Sequence, residues 1–250
     1  MINQTNRLDK LISYLRHMRL PIMADQLLTL SQDSKIESKT TLDVLEEIIT
    51  EEYQSRCLNT IARNLKTAQL SQPNANLDHM NYAPERRINR SLIEQLKTCQ
   101  FIQNHHHVII QGATGTGKSY IANALCRHVI TQGYTALYTR MIELLAEIND
   151  SDSEGRLDKL LKKLAKVDLL VIDDFLLTTT TEFEQKYLME VFEIRSRGKA
   201  LVLSSQMSDV EWHKKLGGGA IAEAIIDRVS NNSHRIIISG ESLSLCKGPE

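Results

Sequence analysis

Apolar residues recur at helical spacing through the first 70 residues of the chain. Over residues 8–15, leucine and isoleucine side chains lie one, three or four positions apart, which predicts an amphipathic helix. Pro21 should end that helix before a second one begins. A longer third helix is predicted from Thr41, with core positions at Leu42, Leu45, Ile49, Leu58, Ile61 and Leu65. The pattern therefore predicts a small all-α N-terminal domain over residues 1–70.

The helical spacing lapses after this region. Pro73, Pro84 and several asparagines interrupt it, which predicts a linker over residues 71–84. Over residues 85–250, short apolar runs alternate with helical repeats, as in a three-layer α/β domain. The runs that predict a five-stranded parallel sheet are "HVII", "TALYT", "LLVIDD", "LVLSSQ" and "HRIIIS". We expect "LVLSSQ" to lie inside the sheet, between the first and third of these strands.

Composition restricts the class of protein. The chain has 250 residues, of which 42% are hydrophobic and 24% are charged, and its formal net charge is −1. These values are typical of a globular protein with one large or two modest domains. The cysteines are scattered, which predicts neither a disulfide framework nor a zinc cluster and favours a reducing cytoplasm. No apolar run approaches the roughly 20 residues of a membrane span, so no membrane partner is expected.

A phosphate-binding loop is predicted between the first strand and the next helix. The segment "QGATGTGKSY", residues 111–120, contains the pattern G-x-x-x-x-G-K-[ST] in the strand-to-helix context that this pattern requires. Its backbone N–H groups should surround phosphate oxygens, Lys118 should reach the β- and γ-phosphates, and Ser119 should bind Mg²⁺. The alternative is a glycine-rich turn without a ligand. The predicted ATP contacts are Gly112, Ala113, Thr114, Gly115, Thr116, Gly117, Lys118, Ser119 and Tyr120.

A pair of carboxylates ends the predicted third strand. The run "VDLLVIDDF" places Asp173 and Asp174 where a parallel strand delivers side chains to a ligand. Asp173 is predicted to hold Mg²⁺, and Asp174 to orient or deprotonate the attacking water. Without a phosphate-binding loop elsewhere in the chain, such an aspartate pair would indicate a turn or a helix cap. The phosphate loop upstream favours the metal interpretation.

Several segments together resemble a known family. "GATGTGKS", "LLVIDDF", "LVLSSQ", "AIIDRV" and "HRIIISGES" are similar, in this order, to the IstB-like ATPases, which are transposition helpers of certain insertion sequences. That family is similar in turn to the DnaC-type helicase loaders of the AAA+ class. "MRLPIMADQL" and "EEYQSRCLNTIARNLKTAQL" extend the resemblance into the N-terminal region. The resemblance implies a P-loop AAA+ fold without a C-terminal lid domain, a cognate transposase as partner, and a homo-oligomer with ATP at subunit interfaces.

The resemblance also implies roles for particular residues. Ser205 and Gln206 occupy the position of the family's first sensor, and Gln206 is the preferred candidate. Arg228 matches an arginine that the family supplies to the nucleotide of a neighbouring subunit, where it stabilises transition-state charge. The alternative for Arg228 is an ion pair with Asp227 or Glu223. Ser244 stands where the family tends to have arginine, so any role of that arginine is absent.

The third predicted helix carries a basic face. Residues 54–70 include no acidic side chain, and a helix places Arg56, Asn59, Thr60, Arg63, Lys66 and Thr67 on one side. Such a face suits consecutive phosphates without reading sequence. We therefore predict Arg56, Asn59, Arg63 and Lys66 as contacts to duplex DNA, with a second basic cluster at Arg86, Arg87, Arg90 and Lys97. The alternative is an ordinary solvated face.

Smaller features receive structural interpretations. His105, His106 and His107 should form a surface lead-in to the first strand, because three adjacent residues cannot all face one metal ion. Trp212 should anchor the packing of a helix. The glycines at 217–219 should form a hinge or a simple loop before the helix that carries Arg228.

The combined prediction is an ATP-dependent DNA-binding helper that oligomerises on duplex DNA and recruits or activates a transposase. A replicative helicase loader would share the ATPase residues and differ in its N-terminal helices. A small-molecule P-loop kinase is a third possibility, which the lack of an evident acceptor-binding lid and the presence of Arg228 disfavour.

Overall fold

Five parallel strands form one sheet, in the spatial order β2-β3-β4-β1-β5. The strands are β1 (His107–Gly112), β2 (Ala136–Arg140), β3 (Leu169–Asp173), β4 (Ala200–Ser205) and β5 (Ser233–Ile238). The predicted position of β4 between β1 and β3 is confirmed, with Val108 and Val171 both in register with Val202. The computed structural model describes residues 2–32 and 38–240. Its residues group into two units, Met1–Arg63 and Asn64–Glu250.

Helices cover both faces of the sheet, which gives the predicted three layers. Every residue of β3 and β4 is buried, as expected for parallel strands with helices on both sides. On one face, alternate strand residues share a core with five helices, α7 (Met141–Ser153), α8 (Leu157–Lys166), α9 (Glu182–Ser196), α10 (Asp209–Lys215) and α11 (Gly219–Ser230). The other face packs on α6 (Lys118–Thr131), next to the shorter α4 (Arg90–Lys97) and α5 (Gln100–Gln103).

Trp212 anchors α10 in this core, as predicted. Its ring is fully buried and meets Phe175 edge to face, with ring centroids 5.1 Å apart. The indole Nε1 donates a hydrogen bond to Ser205 Oγ at 2.9 Å, which satisfies the polar end of the side chain. His107, in contrast, is not part of a surface lead-in. It is buried in β1, and its Nδ1 accepts a hydrogen bond from the backbone N–H of Leu201.

The segment predicted as a linker packs on the α/β unit. Ala75, Leu77 and Met80 are buried, and Leu77–His79 and Pro84–Arg86 form short 3₁₀ turns. The backbone of Asn76 exchanges hydrogen bonds with the Tyr120 hydroxyl. Residues 71–84 therefore belong to the unit Asn64–Glu250, while the functional division into domains stays a prediction.

The described part of the unit Met1–Arg63 is helical, with α1 (Ile2–His17), α2 (Pro21–Gln32) and most of α3 (Thr41–Thr67). Pro21 begins α2, as the sequence predicts. The expected core positions of α3 are largely wrong, because Leu42, Leu45, Ile49 and Leu58 are exposed, Leu42 at 72%. The buried residues of this helix are Ile48 and Glu52. Periodicity indicated a helix there but not which side of it faces the other helices.

Glu52 links the helices of this unit. Its carboxylate accepts hydrogen bonds from the backbone N–H groups of Ile22 and Met23 at the start of α2, and from Arg56 Nε at 2.6 Å. Arg56 also donates to the carbonyl oxygen of Arg19. Burial raises the pKa of Glu52, but the hydrogen bonds from Arg56, Met23 and Ile22 outweigh it, so the pKa lies below its ordinary value. The carboxylate thus caps α2 from a neighbouring helix.

Among the described helices, none is both long and apolar enough to cross a bilayer.

We expect Glu52→Ala to destabilise α2 locally by about 1–2 kcal/mol, because two N–H groups of its first turn lose their acceptor. Amide hydrogen exchange in α2 should accelerate by about 5- to 30-fold. The exposed neighbour Glu51→Ala is the matched control. Because the pKa of Glu52 is lowered, the stabilisation in the unaltered protein is present at neutral pH and is lost as pH falls through that pKa. Equal exchange rates in both variants would contradict this capping role.

Candidate functional site

The phosphate loop turns the chain from β1 into α6 within a few residues. Gly117 precedes α6 with φ of 89°, and Gly115 has φ of 80°, a left-handed conformation that residues with a Cβ rarely adopt. Gly112 has a different requirement. A Cβ there would lie 2.6 Å from the carbonyl oxygen of Ile238 in β5, so glycine is needed for the close packing of β1 on β5.

Lys118 and Thr116 both fold back onto the loop. Lys118 Nζ donates to the carbonyl oxygen of Ala113 at 2.8 Å, and Thr116 Oγ1 donates to the same oxygen at 2.8 Å. Burial lowers the pKa of Lys118, and the nearby charges of Asp174 and Asp173 oppose this without reversing it. A buried ammonium at a helix N-terminus, beside a loop of backbone N–H groups, fits the phosphates of ATP.

Arg86 supports this loop from behind, which corrects the prediction that it belongs to a basic cluster for DNA. It is buried, and its guanidinium donates to the carbonyl oxygens of Thr116 at 2.5 Å and Asn81 at 2.7 Å. Burial lowers its pKa. Lys97 of the same predicted cluster is paired with Asp78 and Glu94. The sequence after residue 84 shows that these residues are basic, but it does not indicate which groups they contact.

Asp173 ends β3 as a buried carboxylate, 2% exposed, with both oxygens hydrogen bonded. Tyr138 of β2 donates its hydroxyl to Oδ2 at 2.6 Å, and Ser204 of β4 donates to Oδ1. Burial and this bond to Asp173 together raise the pKa of the Tyr138 phenol above its ordinary value. Sequence reasoning missed Tyr138 and Ser204, because each reaches Asp173 from a different strand.

Asp174 lies on the cleft in a left-handed conformation, with φ of 55°. Its carboxylate forms an ion pair with Arg140 at the end of β2, at 3.0 Å, and its backbone N–H donates to Ser204 Oγ. The hydrogen bond with Asp174 is the main reason that the pKa of Arg140 is raised. Arg140 is a second residue near the site that sequence reasoning missed.

Gln206 lines the cleft and Ser205 does not, while the sensor role of Gln206 stays a prediction. Thr114 Oγ1 donates to Gln206 Oε1 at 2.5 Å, which links the phosphate loop to the end of β4. Ser205 is buried against Trp212 and the carbonyl oxygen of Phe175.

The cleft itself has a volume of about 540 Å³. Eight of its lining residues come from the predicted nucleotide and catalytic set, and three come from neighbouring segments. The lining consists of Gln72, Thr114, Gly115, Gly117, Lys118, Ser119, Tyr120, Asp174, Phe175, Leu177 and Gln206. Gly112, Ala113, Thr116 and Asp173 lie behind this lining. The first three belong to the phosphate-loop motif, and Asp173 is a buried carboxylate bonded to Tyr138 and Ser204.

Arg228 lies elsewhere, on α11. Its Nε donates to Glu193 of α9 at 2.6 Å, and Nη1 donates to the carbonyl oxygen of Ala224 at 3.0 Å. The expected alternative partners, Asp227 and Glu223, were wrong, because the ion pair forms with Glu193 on another helix. Arg228 lines a separate groove of about 910 Å³ beside α10 and α11. Ser244 lies outside the described residues.

The predicted DNA face on α3 is not uniform. Arg56 is tied to Glu52 and to the backbone of Arg19, so its guanidinium has a structural function inside the helical unit. Asn59, Arg63 and Lys66 are exposed. None of these residues lines the cleft in the described part of the chain.

Comparison with known proteins identifies the family of this chain. The sequence matches the family of IstB-like ATP binding proteins over residues 13–248. An insertion-sequence ATP-binding protein of Sinorhizobium fredii is 30% identical over 238 residues, which is 95% of this chain and 96% of that protein. Another, from Geobacillus stearothermophilus, is 23% identical over 237 residues, covering 95% of this chain and 94% of that protein.

Solved structures share the fold. The DnaC helicase loader aligns with a TM-score of 0.55 and 17% identity, over 66% of this chain and 97% of that one. The replication initiator DnaA, bound to AMPPCP and single-stranded DNA, aligns with a TM-score of 0.57 and 20% identity, over 69% of this chain and 52% of that one. Because the family match spans nearly the whole chain and includes the phosphate loop, the protein belongs to the IstB-like ATP-binding family and is an ATPase.

Proposed function

We propose that this ATPase is a helper of DNA transposition that assembles on duplex DNA, holds ATP between neighbouring copies, and recruits or activates a transposase. The observation that carries the proposal is the location of Arg228. Within the described residues, the cleft lining contains no arginine, while Arg228 lies on a separate groove. A second copy could bring Arg228 to the cleft and complete it. Hydrolysis would then depend on assembly.

The residues of the cleft have distinct roles in this proposal. The backbone of residues 112–117 and the Lys118 ammonium bind the phosphates of ATP. Ser119 and Asp173 would hold Mg²⁺, because a serine hydroxyl after the lysine and a carboxylate at a strand end are the protein ligands that P-loop sites give this ion. When bound, Mg²⁺ neutralises charge on the phosphates. Tyr120 lines the cleft beside the loop.

Asp174 and Gln206 act on the attacking water. Both line the cleft, and each enters it at the carboxyl end of a strand. Asp174 accepts the proton of the water at its carboxylate, and Gln206 orients the water or contacts the γ-phosphate, as its bond to Thr114 of the phosphate loop supports. The ion pair with Arg140 limits the rotation of the Asp174 carboxylate.

Arg228 supplies positive charge to the γ-phosphate of the neighbouring copy. In the single chain its guanidinium is held by Glu193, so it must leave that partner to act between copies. On assembly, Arg228 would therefore exchange the Glu193 carboxylate for the γ-phosphate of the neighbouring copy, so its catalytic role depends on assembly.

The exposed polar face of α3 binds the DNA backbone. Asn59, Arg63 and Lys66 follow one another along the helix at intervals of three and four residues, so they share a side of α3. Contacts of this kind go to phosphates and do not read bases, which is why duplexes of unrelated sequence should bind alike. Arg56 lies on the same side, but its pairing with Glu52 restricts it. A transposase partner is supported by the insertion-sequence names of the relatives.

For the proposed base, Asp174→Asn should leave nucleotide binding intact and lower ATP turnover by about 10²-fold or more, because the amide cannot accept the proton. Turnover and binding of a fluorescent nucleotide would be measured on the same preparation. Asp158→Asn, an equivalent change at an exposed position of α8, should retain full activity. Normal turnover in Asp174→Asn would rule out its role as the base.

For Arg228, we expect Arg228→Ala to keep nucleotide binding and to lower turnover by about 10³-fold or more. Lys118→Ala should lose nucleotide binding itself. When the two variants are mixed, an intact Lys118 cleft can meet an intact Arg228, so part of the ATPase activity should return. If mixed oligomers form and no activity returns, Arg228 does not act between copies.

For the DNA face, Arg63→Glu with Lys66→Glu should weaken binding to unrelated duplexes alike and reduce the slope of log affinity against log salt by roughly one unit per lost phosphate contact. Arg56 is left unchanged because its reversal would also break the Glu52 cap. Arg7→Glu with Lys10→Glu, which changes net charge equally on α1, is the control. The same affinity and salt slope in both double variants would show that the α3 face does not bind DNA.

A further inference from the structure

A chain of polar side chains connects Asp173 to the segment that follows α3. Tyr138 lies between the two. Its hydroxyl donates to Asp173 Oδ2 at 2.6 Å, and its backbone N–H donates to the carbonyl oxygen of Ala68 at 2.8 Å. Tyr138 is itself buried, so neither bond competes freely with water. A single residue of β2 therefore contacts both the carboxylate at the end of β3 and the chain just beyond Thr67.

Asn123 makes the corresponding connection from α6. Its side chain is fully buried, and both the amide nitrogen and the amide oxygen form hydrogen bonds. Nδ2 donates to the carbonyl oxygen of Ser119 at 2.8 Å and to Ser71 Oγ at 3.0 Å, and Oδ1 accepts from the backbone N–H of Gln72 at 3.1 Å. Asn123 thus joins the first turn of α6, where Ser119 lies, to the same segment.

A third attachment lies one turn earlier on α6. The Tyr120 hydroxyl donates to the carbonyl oxygen of Asn76 at 3.1 Å and accepts from its backbone N–H at 3.2 Å. Residues 68–76 are therefore fastened to the α/β unit next to Ser119 and next to Asp173. Gln72, in the middle of the segment, lines the nucleotide cleft.

We propose that Tyr138 and Asn123 are positioning residues for the two magnesium ligands, and that residues 68–76 tighten when Mg²⁺ and nucleotide bind together. The inference rests on the proposed metal role of Ser119 and Asp173. A hydrogen bond to a ligating carboxylate fixes its orientation, and loss of such a bond typically costs about 10- to 100-fold in metal affinity. Tyr138 also bonds to Ala68, and Asn123 also bonds to Ser71 and Gln72. When the two magnesium ligands are held in place, these bonds therefore limit the motion of residues 68–76.

The first test is Tyr138→Phe, which removes only the hydroxyl from a buried ring. Affinity for a fluorescent ATP analogue is measured with Mg²⁺ and with EDTA. We expect the gain in affinity that Mg²⁺ gives the unaltered protein to fall by about 10-fold or more, while affinity in EDTA stays the same. Tyr134→Phe is the matched control, because its hydroxyl bonds to Gln103 outside the network.

The outcomes separate the inference from the proposal on which it rests. If Mg²⁺ gives the unaltered protein no gain in nucleotide affinity, the metal assignment of Ser119 and Asp173 is wrong, and this inference is overturned with it. If the unaltered protein shows the gain and Tyr138→Phe keeps all of it, only the positioning role is overturned.

Amide hydrogen exchange tests the response of the segment directly. In the unaltered protein, amides of residues 68–76 should exchange more slowly with Mg²⁺ and a non-hydrolysable ATP analogue than with the analogue in EDTA. Saturating concentrations of the analogue remove differences in occupancy. Tyr138→Phe should lose most of this extra protection, and Tyr134→Phe should keep it. Equal protection in the two variants, or none in the unaltered protein, would overturn the coupling.

Discussion

The site depends on the position of β4 between β1 and β3. Parallel strands end at the same edge of a sheet, so this order brings the phosphate loop after β1, Asp174 after β3 and Gln206 after β4 to one cleft. Helices bury both faces of the sheet, as is usual for parallel strands. Ser204 illustrates the consequence, since its hydroxyl donates to Asp173 and accepts from the backbone N–H of Asp174.

Buried cations that bind backbone carbonyls fix the loops around this sheet. Arg86 binds the carbonyl oxygen of Thr116 in the phosphate loop. Arg195, fully buried on α9, donates to the carbonyl oxygens of Leu164, Val167, Asp168 and Ala200, where α8 ends and β3 and β4 begin. Burial lowers the pKa of Arg195 to about 9. A planar guanidinium with several donors can satisfy carbonyls from separate segments at once, which a lysine cannot do as well.

Polar contacts of this kind also distinguish two kinds of residue at the site. Lys118, Asp174 and Gln206 present their side chains to the cleft, where a nucleotide would meet them. Tyr138 and Arg86 are not part of this lining. Tyr138 holds the buried carboxylate of Asp173, and Arg86 holds the carbonyl oxygen of Thr116 in the phosphate loop. Glu52 has a comparable structural role in the unit Met1–Arg63. It caps α2 and forms an ion pair with Arg56 on its own helix, α3.

The sequence by itself determined the elements and motifs whose requirements are local. The phosphate loop, the strand before it and the carboxylate pair were predictable because glycine conformation, apolar runs and helix periodicity depend on neighbours in the chain. The tertiary structure alone decided that Tyr138 and Arg140 meet Asp173 and Asp174, that Arg86 is buried, and that Leu42 is exposed. These outcomes depend on which distant segments of the chain come together. Helical or strand periodicity predicts which residues share a face of an element, but it does not predict which other element packs against that face.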